Sequence, residues 1–571
     1  MSSNDPTSAV HRVQSATEHP EIYPTLSHSS QNYTGAPLDL FPAQAGTESP
    51  HEADKTQGQG QGQGNGINNE QPRSASHSSA RFPQDGPDLE KQQSAEKVYP
   101  TVDNPDDFVF KIDQSSPDFA VNWSTSRKLK ITAIYSWAAL CSTFASSVFS
   151  GPTEVIPTIF HITMTTSLLA ISLFICGYCV GPICWGPLSE LYGRKPPLAV
   201  GMLGFGIFNI AVAVAKDIQT IMICRFFGGF FASAPLTIVA AAFSDMYSNR
   251  YRGTAITIFA AIVFDGPLVS PIISGFLTKS YLGWRWTEYI TSFMGFFAVV
   301  IIILFCDESY AKKIVQAQAQ DYRIANNNHF VHAKSEEEVL TPKDVLFNYL
   351  LIPIKMLFTE PIVFLVTLYC SFVYGILYLL LEAYPIIFAE KRHFSMGVAQ
   401  LPYIGLLVGV FIGSAINIAF EPWYFRKVIE LGGKPFPEGR LPPLIIGAFT
   451  FPAGIFWMAW SGNYPHVHWI VPSLSGLVTG CGILLIFLNC MNYVIDAYLF
   501  RAASAVAANT IMRSAVAAGF PLFAIQMFHN LGVGWAGSLL GFIAVALIPV
   551  PIAFWFYGRK IRSWSKMAVV L

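Results

Sequence analysis

GPLSELYGRKPPL, residues 186–198, is a short charged turn between two apolar runs of membrane-crossing length. Gly186, Pro187, Gly193 and the adjacent Pro196 and Pro197 interrupt the chain, while Glu190, Arg194 and Lys195 put charge into the interruption. Glycine allows close backbone approach and dihedrals closed to other residues. A turn of this kind reads as a mechanical part at the rim of a membrane protein. Glu190 is expected to pair with a nearby cation, Arg252 being a good candidate, in a latch that closes in one state of the protein and releases in the other; the plain alternative is an ordinary basic loop.

Outward from the turn, apolar runs recur at 131–150, 168–188, 197–215, 219–243, 254–277, 288–306, 361–388, 397–420, 442–461, 468–492, 502–528 and 533–556. A spanning helix needs about 20 such residues. Six runs, a hydrophilic stretch and six more runs predict an all-α membrane protein of two six-helix bundles. The domains expected are a disordered tail at 1–125, bundles at 126–306 and 361–558, a central loop at 307–360 and a terminal tail at 559–571. The first of these carries a QGQGQGQGNG tract at 57–66 and lacks the apolar residues needed to offset ordering entropy. Lys and Arg crowd one side, from Arg127 through Arg194, Arg252, Arg440 and Arg501 to Arg562, which predicts cytosolic termini. The halves echo each other: Tyr251-Arg252-Gly253 opens the fifth run and Phe500-Arg501-Ala502 the eleventh. Two parallel repeats predict such an echo.

Composition agrees. The 571 residues are 52% hydrophobic and 13% charged, against about a quarter charged in soluble domains. A net charge of −1 argues against a nucleic-acid partner. The nine cysteines lack metal spacing and read as small apolar side chains. No GK[ST] loop or catalytic cluster is visible, so neither an enzyme nor a cofactor is expected.

The charges inside the runs carry the functional reading. Arg225, in ICRFFGGFFASAP, lies about two turns into the fourth run. A charge at that depth faces a partner or a cavity; the alternative is an arginine snorkelling outward. Asp265 precedes Gly266, Pro267, Pro271 and Gly275, a hinge and packing seam in the fifth run. The acid is either a protonation site or the partner of Arg225 or Arg513. Tyr374, Tyr378 and Glu382 recur every four residues and share one helix face. They are either a ligand surface or aromatic packing with an acid at its rim. Asn489, Tyr493, Asn509 and Arg513 add polar groups to the tenth and eleventh runs, and Asp496 near the rim caps its helix or pairs with Arg501.

These stretches, with WRWTEYI at 284–290, PEGRLPPLIIGAF at 437–449 and GFPLF at 519–523, resemble the twelve-helix fungal drug:proton antiporters of the major facilitator superfamily. The similarity runs from about Asn122 to Arg562 and is strongest to the polyamine and multidrug-resistance branch. It implies proton-driven export by alternating access. It also implies gating roles for Gly186, Glu190, Gly193, Arg194 and Lys195, and an arginine motif at Arg225 and Gly229. The antiporter motif falls on Gly266, Pro267, Pro271 and Gly275, with Ser270 and Ser274 where the family carries glycine. The expected partners are protons, lipid and a small organic substrate, with the chain a monomer in the plasma or vacuolar membrane. Proton coupling is assigned to Arg225, Asp265 and Glu382. The many aromatics and two deep arginines favour drugs, metabolites or organic anions over polyamines, and a non-transporting membrane sensor is the rival class.

Overall fold

Ser124 and Thr163 start the first two long helices by accepting backbone N–H groups of Arg127 and Thr166. These are α1 (Thr125–Val148) and α2 (Met164–Leu191) of the computed structural model. The structure describes residues 110, 116–327, 331–336, 347, 351–434, 436–565 and 567–568. The expected disorder of the tail before residue 110 lies outside them, and every described residue belongs to the unit Leu89–Leu571. The long helices continue as α3 (Lys195–Val214), α4 (Ile218–Met246), α5 (Asn249–Lys279) and α6 (Arg285–Phe305). After the central loop come α7 (Pro361–Pro385), α8 (Tyr403–Glu430), α9 (Leu441–Asn463), α10 (Ile470–Ala497), α11 (Ala502–Leu547) and α12 (Pro549–Trp564). Helices are what a lipid solvent permits, because every backbone polar group is satisfied within its own segment. Asp217 starts α4 by accepting the Thr220 backbone N–H at 2.7 Å and its hydroxyl at 3.0 Å. Those two bonds hold its carboxyl below the usual value.

Eleven helices among the described residues are long and apolar enough to cross a membrane, and the last of them, Ala502–Trp564, has 63 residues. It breaks at Gly532, whose φ of 74° lies in the left-handed region that suits glycine. Each limb exceeds the about 20 residues a bilayer requires. The chain therefore makes twelve crossings, with the break close to the boundary expected from sequence. The central loop is not structureless: it holds helices Ala311–Asn326 and Ile352–Thr359. The last helix reaches Trp564, beyond the expected bundle end.

The internal repeat is visible in the packing. In the first half α2 lies on α4, α1 on α5, and α3 on both α4 and α6. In the second half α8 lies on α10, α7 on the first limb of α11, and α9 on both α10 and the second limb. The halves meet reciprocally, α2 against α11 and α8 against α5. Small residues make the closest contacts. A Cβ on Gly229 would strike the Phe174 carbonyl across α2–α4, and one on Gly480 would strike the Leu406 carbonyl across α8–α10. Both obstacles are backbone, which cannot rotate away. Gly229→Val is expected to destabilise the protein by about 1–3 kcal/mol, read as a lower melting temperature in detergent.

Candidate substrate and coupling sites

α7 brings its aromatic face to the middle of the molecule. The Tyr374 and Tyr378 hydroxyls are 3.3 Å apart, and the Tyr378 hydroxyl donates to Ser146 Oγ on α1 at 2.9 Å. Phe264 of α5 and Phe487 of α10 close on Tyr374, with ring centroids at 6.4 and 6.3 Å. Arg513 of α11 lays its guanidinium 4.5 Å from the Tyr374 centroid and 4.9 Å from that of Phe487. One turn earlier Asn509 reaches Thr367 on α7. Five helices from both halves therefore meet around one buried aromatic belt. Phe264 and Phe487 carry no charge or periodic mark in the sequence that separates them from lipid-facing phenylalanines.

Arg225 is fully buried, not snorkelling. Its guanidinium donates to the Ala145 carbonyl at 3.0 and 3.1 Å and, through Nε, to the Ala170 carbonyl at 3.3 Å. Phe174 lies beneath it at 4.3 Å. Its acidic partner is Glu288 of α6, at 3.6 Å. Of the readings left open for Asp265, partnership with Arg225 is not the one this structure holds, because Glu288 occupies that position. Glu288 is fully buried, and neither carboxylate oxygen has a hydrogen bond. In sequence it is the fourth residue of α6, where an acid reads as part of the rim. Its signal was only that WRWTEYI leads straight into an uninterrupted apolar run.

Asp265 and Glu382 are also buried, at 8% and 5% exposure, each with one oxygen lacking a partner. Asp265 pairs with neither Arg225 nor Arg513 among the described residues. Glu382 lies within electrostatic reach of Glu154, on the short helix Pro152–Phe160 of the other half. Asn489 joins a cross-half chain: it donates to Asn417 of α8 at 3.0 Å, and Asn417 donates to Thr257 of α5 at 2.9 Å. Tyr493 departs from the cavity expected for it. It stacks on Phe554 of α12 at 5.4 Å, because it lies one turn beyond Asn489, toward the end of α10 and past the central belt.

α5 runs unbroken through Pro267 and Pro271 and serves as a seam on two sides. Gly266 abuts Thr143 and Phe144 of α1, and Gly275 abuts Gly397 and Gln400 of the second half. Ser274 donates to the Val148 carbonyl, so the serine substitution adds a tie where glycine gives only proximity.

The 186–198 turn is clasped differently from the sequence expectation. Arg194 pairs with Asp245 of α4 at 3.0 Å and lies over the Tyr310 ring at 4.5 Å. Glu308 accepts the backbone N–H groups of Arg194 and Lys195 at 2.8 and 3.1 Å, capping α3. Gly193 has φ 91°, and a Cβ there would meet the Glu308 carboxylate. Lys195 Nζ donates to the Ile303 carbonyl at 3.1 Å. In this structure Arg252 meets no carboxylate among the described residues, so the expected pairing with Glu190 is not made here; Asp245 supplies the acid of the clasp and Arg194 the cation. Gly186 sits one turn from the end of α2, where its carbonyl takes the Ser189 hydroxyl at 2.8 Å.

The second half builds the same clasp. Arg440, at the start of α9, pairs with Asp496 at 3.1 Å and with Glu421 of α8 at 2.7 Å, and lies 3.6 Å from the Tyr424 ring centroid. Asp496 therefore pairs with Arg440, not Arg501. Asp245 and Asp496 are each the penultimate residue of their helix, and Arg194 and Arg440 each cap the helix they precede. Glu438 and Arg562 form a further buried pair beside it.

Residues 135–521 match the sequence model of the Major Facilitator Superfamily. The chain belongs to the major facilitator superfamily. It is 66% identical over 562 residues to "Uncharacterized transporter C36.02c" of Schizosaccharomyces pombe, covering 97% of each chain. It is 45% identical over 502 residues to the multidrug transporter FLU1 of Candida albicans, covering 87% of this chain and 81% of that one. Among solved structures, the xylose transporter XylE from E. coli in a partially occluded inward-open conformation has the same fold, with TM-score 0.53 at 16% identity over 76% of this chain and 98% of that chain. This superfamily protein is a multi-pass membrane transporter and not an enzyme.

Proposed function

We propose that the protein exports small organic compounds in exchange for protons by alternating access. The observation that carries this is Glu288, a fully buried carboxylate without hydrogen bonds, 3.6 Å from an equally buried Arg225. A charge in that setting is costly, so the group has reason to change protonation as its surroundings change. Arg225 ties α4 to the carbonyls of α1 and α2, the helices that present Ser146 and Cys179 to the second half. Protonating Glu288 removes the negative partner from that knot and alters how the first half sits on the second. Asp265 and Glu382 are further places for a proton on the same route.

The halves touch at both ends in this structure. Thr257 and Gly253 meet Asn417 and Glu421 at the basic end, and Gly275 meets Gly397 at the other. Rocking about the central belt opens one set of contacts while keeping the other. The concentration of Lys and Arg supports a cytosolic basic end, and the resemblance to the multidrug transporter FLU1 supports drug-like substrates. One chain contains the whole belt, which supports a monomer as the working unit.

Reconstituted in acid-inside liposomes, the protein is expected to accumulate at least one of a panel of labelled amphipathic compounds, and collapsing the pH difference with an ionophore is expected to stop the accumulation. Accumulation that ignores the pH difference overturns the coupling. Binding without flux for every compound favours a sensor instead.

A further inference from the structure

The two deep arginines are in opposite circumstances. Arg225 donates to two carbonyls and faces a carboxylate. Arg513 is 8% exposed, and no hydrogen bond or ion pair reaches its guanidinium among the described residues; its Nε is buried and unpartnered. Its contacts are the faces of Tyr374 and Phe487, at 4.5 and 4.9 Å. The attraction of a ring face for a desolvated cation falls well short of what a buried unpaired charge costs. Neither Asp265 nor Glu382 lies within ion-pair distance. The protein therefore keeps a cation at the meeting point of its halves and leaves it without an anion.

We propose that the central belt is an organic-anion subsite, in which Arg513 takes the carboxylate or sulfonate of an aromatic substrate whose rings lie among Phe264, Tyr374 and Phe487. This rests on the transport reading above and names its substrate class. The guanidinium is a planar fork of donors matched to a two-oxygen acid group. It lies beside apolar rings, so one ligand with an acid at one end and an aromatic body at the other satisfies both. Asn509 is four residues earlier on the same face of α11 and has a buried, unpartnered Oδ1, which accepts from a hydroxyl or protonated group next to the acid. A permanently cationic ligand would instead place like charge against Arg513.

The test uses three probes of one shape: naphthalene-2-sulfonate, its neutral sulfonamide and the 2-naphthyltrimethylammonium cation. Equilibrium binding to the purified full chain is measured separately from liposome uptake. The sulfonate is expected to bind about 10- to 100-fold more weakly to Arg513→Gln, the range for a charged hydrogen-bonded pair. Arg513→Lys is expected to recover part of that loss, and the sulfonamide is expected to be nearly indifferent to either change. Circular dichroism and gel-filtration profiles matching the unsubstituted protein establish that the variants are folded; if Arg513→Gln fails this check, Arg513→Lys and Tyr374→Leu carry the test. Preference for the ammonium probe, or sulfonate binding equal in both proteins, overturns the proposal. Arg513-dependent binding of the sulfonate with no uptake of it or of any compound of the amphipathic panel leaves the subsite standing and overturns the export reading.

Discussion

Arg225→Met is expected to destabilise the protein by about 3–5 kcal/mol, the cost of leaving one member of a buried pair alone, and to stop transport. Glu288 would then be a fully buried acid with no cation and no hydrogen bond. The Ala145 and Ala170 carbonyls would lose their donors as well. The informative comparison is the double variant Arg225→Met/Glu288→Gln. Removing both charges leaves no orphan ion, and pairs replaced in this way are often neutral for stability. The melting temperature of the double variant is expected to rise well above that of Arg225→Met, with transport still absent. Additive losses would mean that the two residues do not act on each other.

The second large effect is expected at the basic end. Arg440→Ala removes the cation that Glu421 and Asp496 share, and both carboxylates are about 15% exposed. Two acids are then left side by side with little solvent, again a loss of about 3–5 kcal/mol. α8, α9 and α10 are joined through that one guanidinium, so the basic end of the second half should loosen as a unit. Arg194→Ala is expected to cost less. It breaks a single pair with Asp245, and Glu308 continues to cap α3 through backbone N–H groups that the substitution keeps. Thermal melts and thiol labelling of cysteines introduced near residue 424 check the order. Equal losses for the two variants would contradict it.

The fold was legible because a bilayer enforces a simple rule, about 20 apolar residues per crossing, and the sequence obeys it twelve times. The last two crossings were separable too, because the apolar runs 502–528 and 533–556 stop and resume around Gly532, where the left-handed dihedral breaks the helix. The central site was half legible. Tyr374 and Tyr378 share a face by spacing alone, and Arg513 is conspicuous as a charge in an apolar run. Phe264 and Phe487 look like any membrane phenylalanine until helices far apart in sequence meet. Partner choice was the least legible part. Asp265 was left open between a protonation site and a partner of Arg225 or Arg513, and Glu190 was given to Arg252, because proximity along the chain says nothing about which helix faces which. Glu288 and Asp245 lie at helix ends, where acids are commonplace, so composition gave no reason to prefer them. The repeat offered a route that sequence reading did not take: Arg440 and Asp496 sit at the same helix positions as Arg194 and Asp245.

Glu288→Gln tests the coupling account most directly, because it removes one titrating proton and little volume. In liposomes, exchange of labelled for unlabelled substrate at equal pH needs no net proton movement, whereas accumulation against a gradient does. The variant is expected to keep the exchange and lose accumulation in acid-inside liposomes. Accumulation equal to that of the unsubstituted protein would show that Glu288 does not carry the coupled proton.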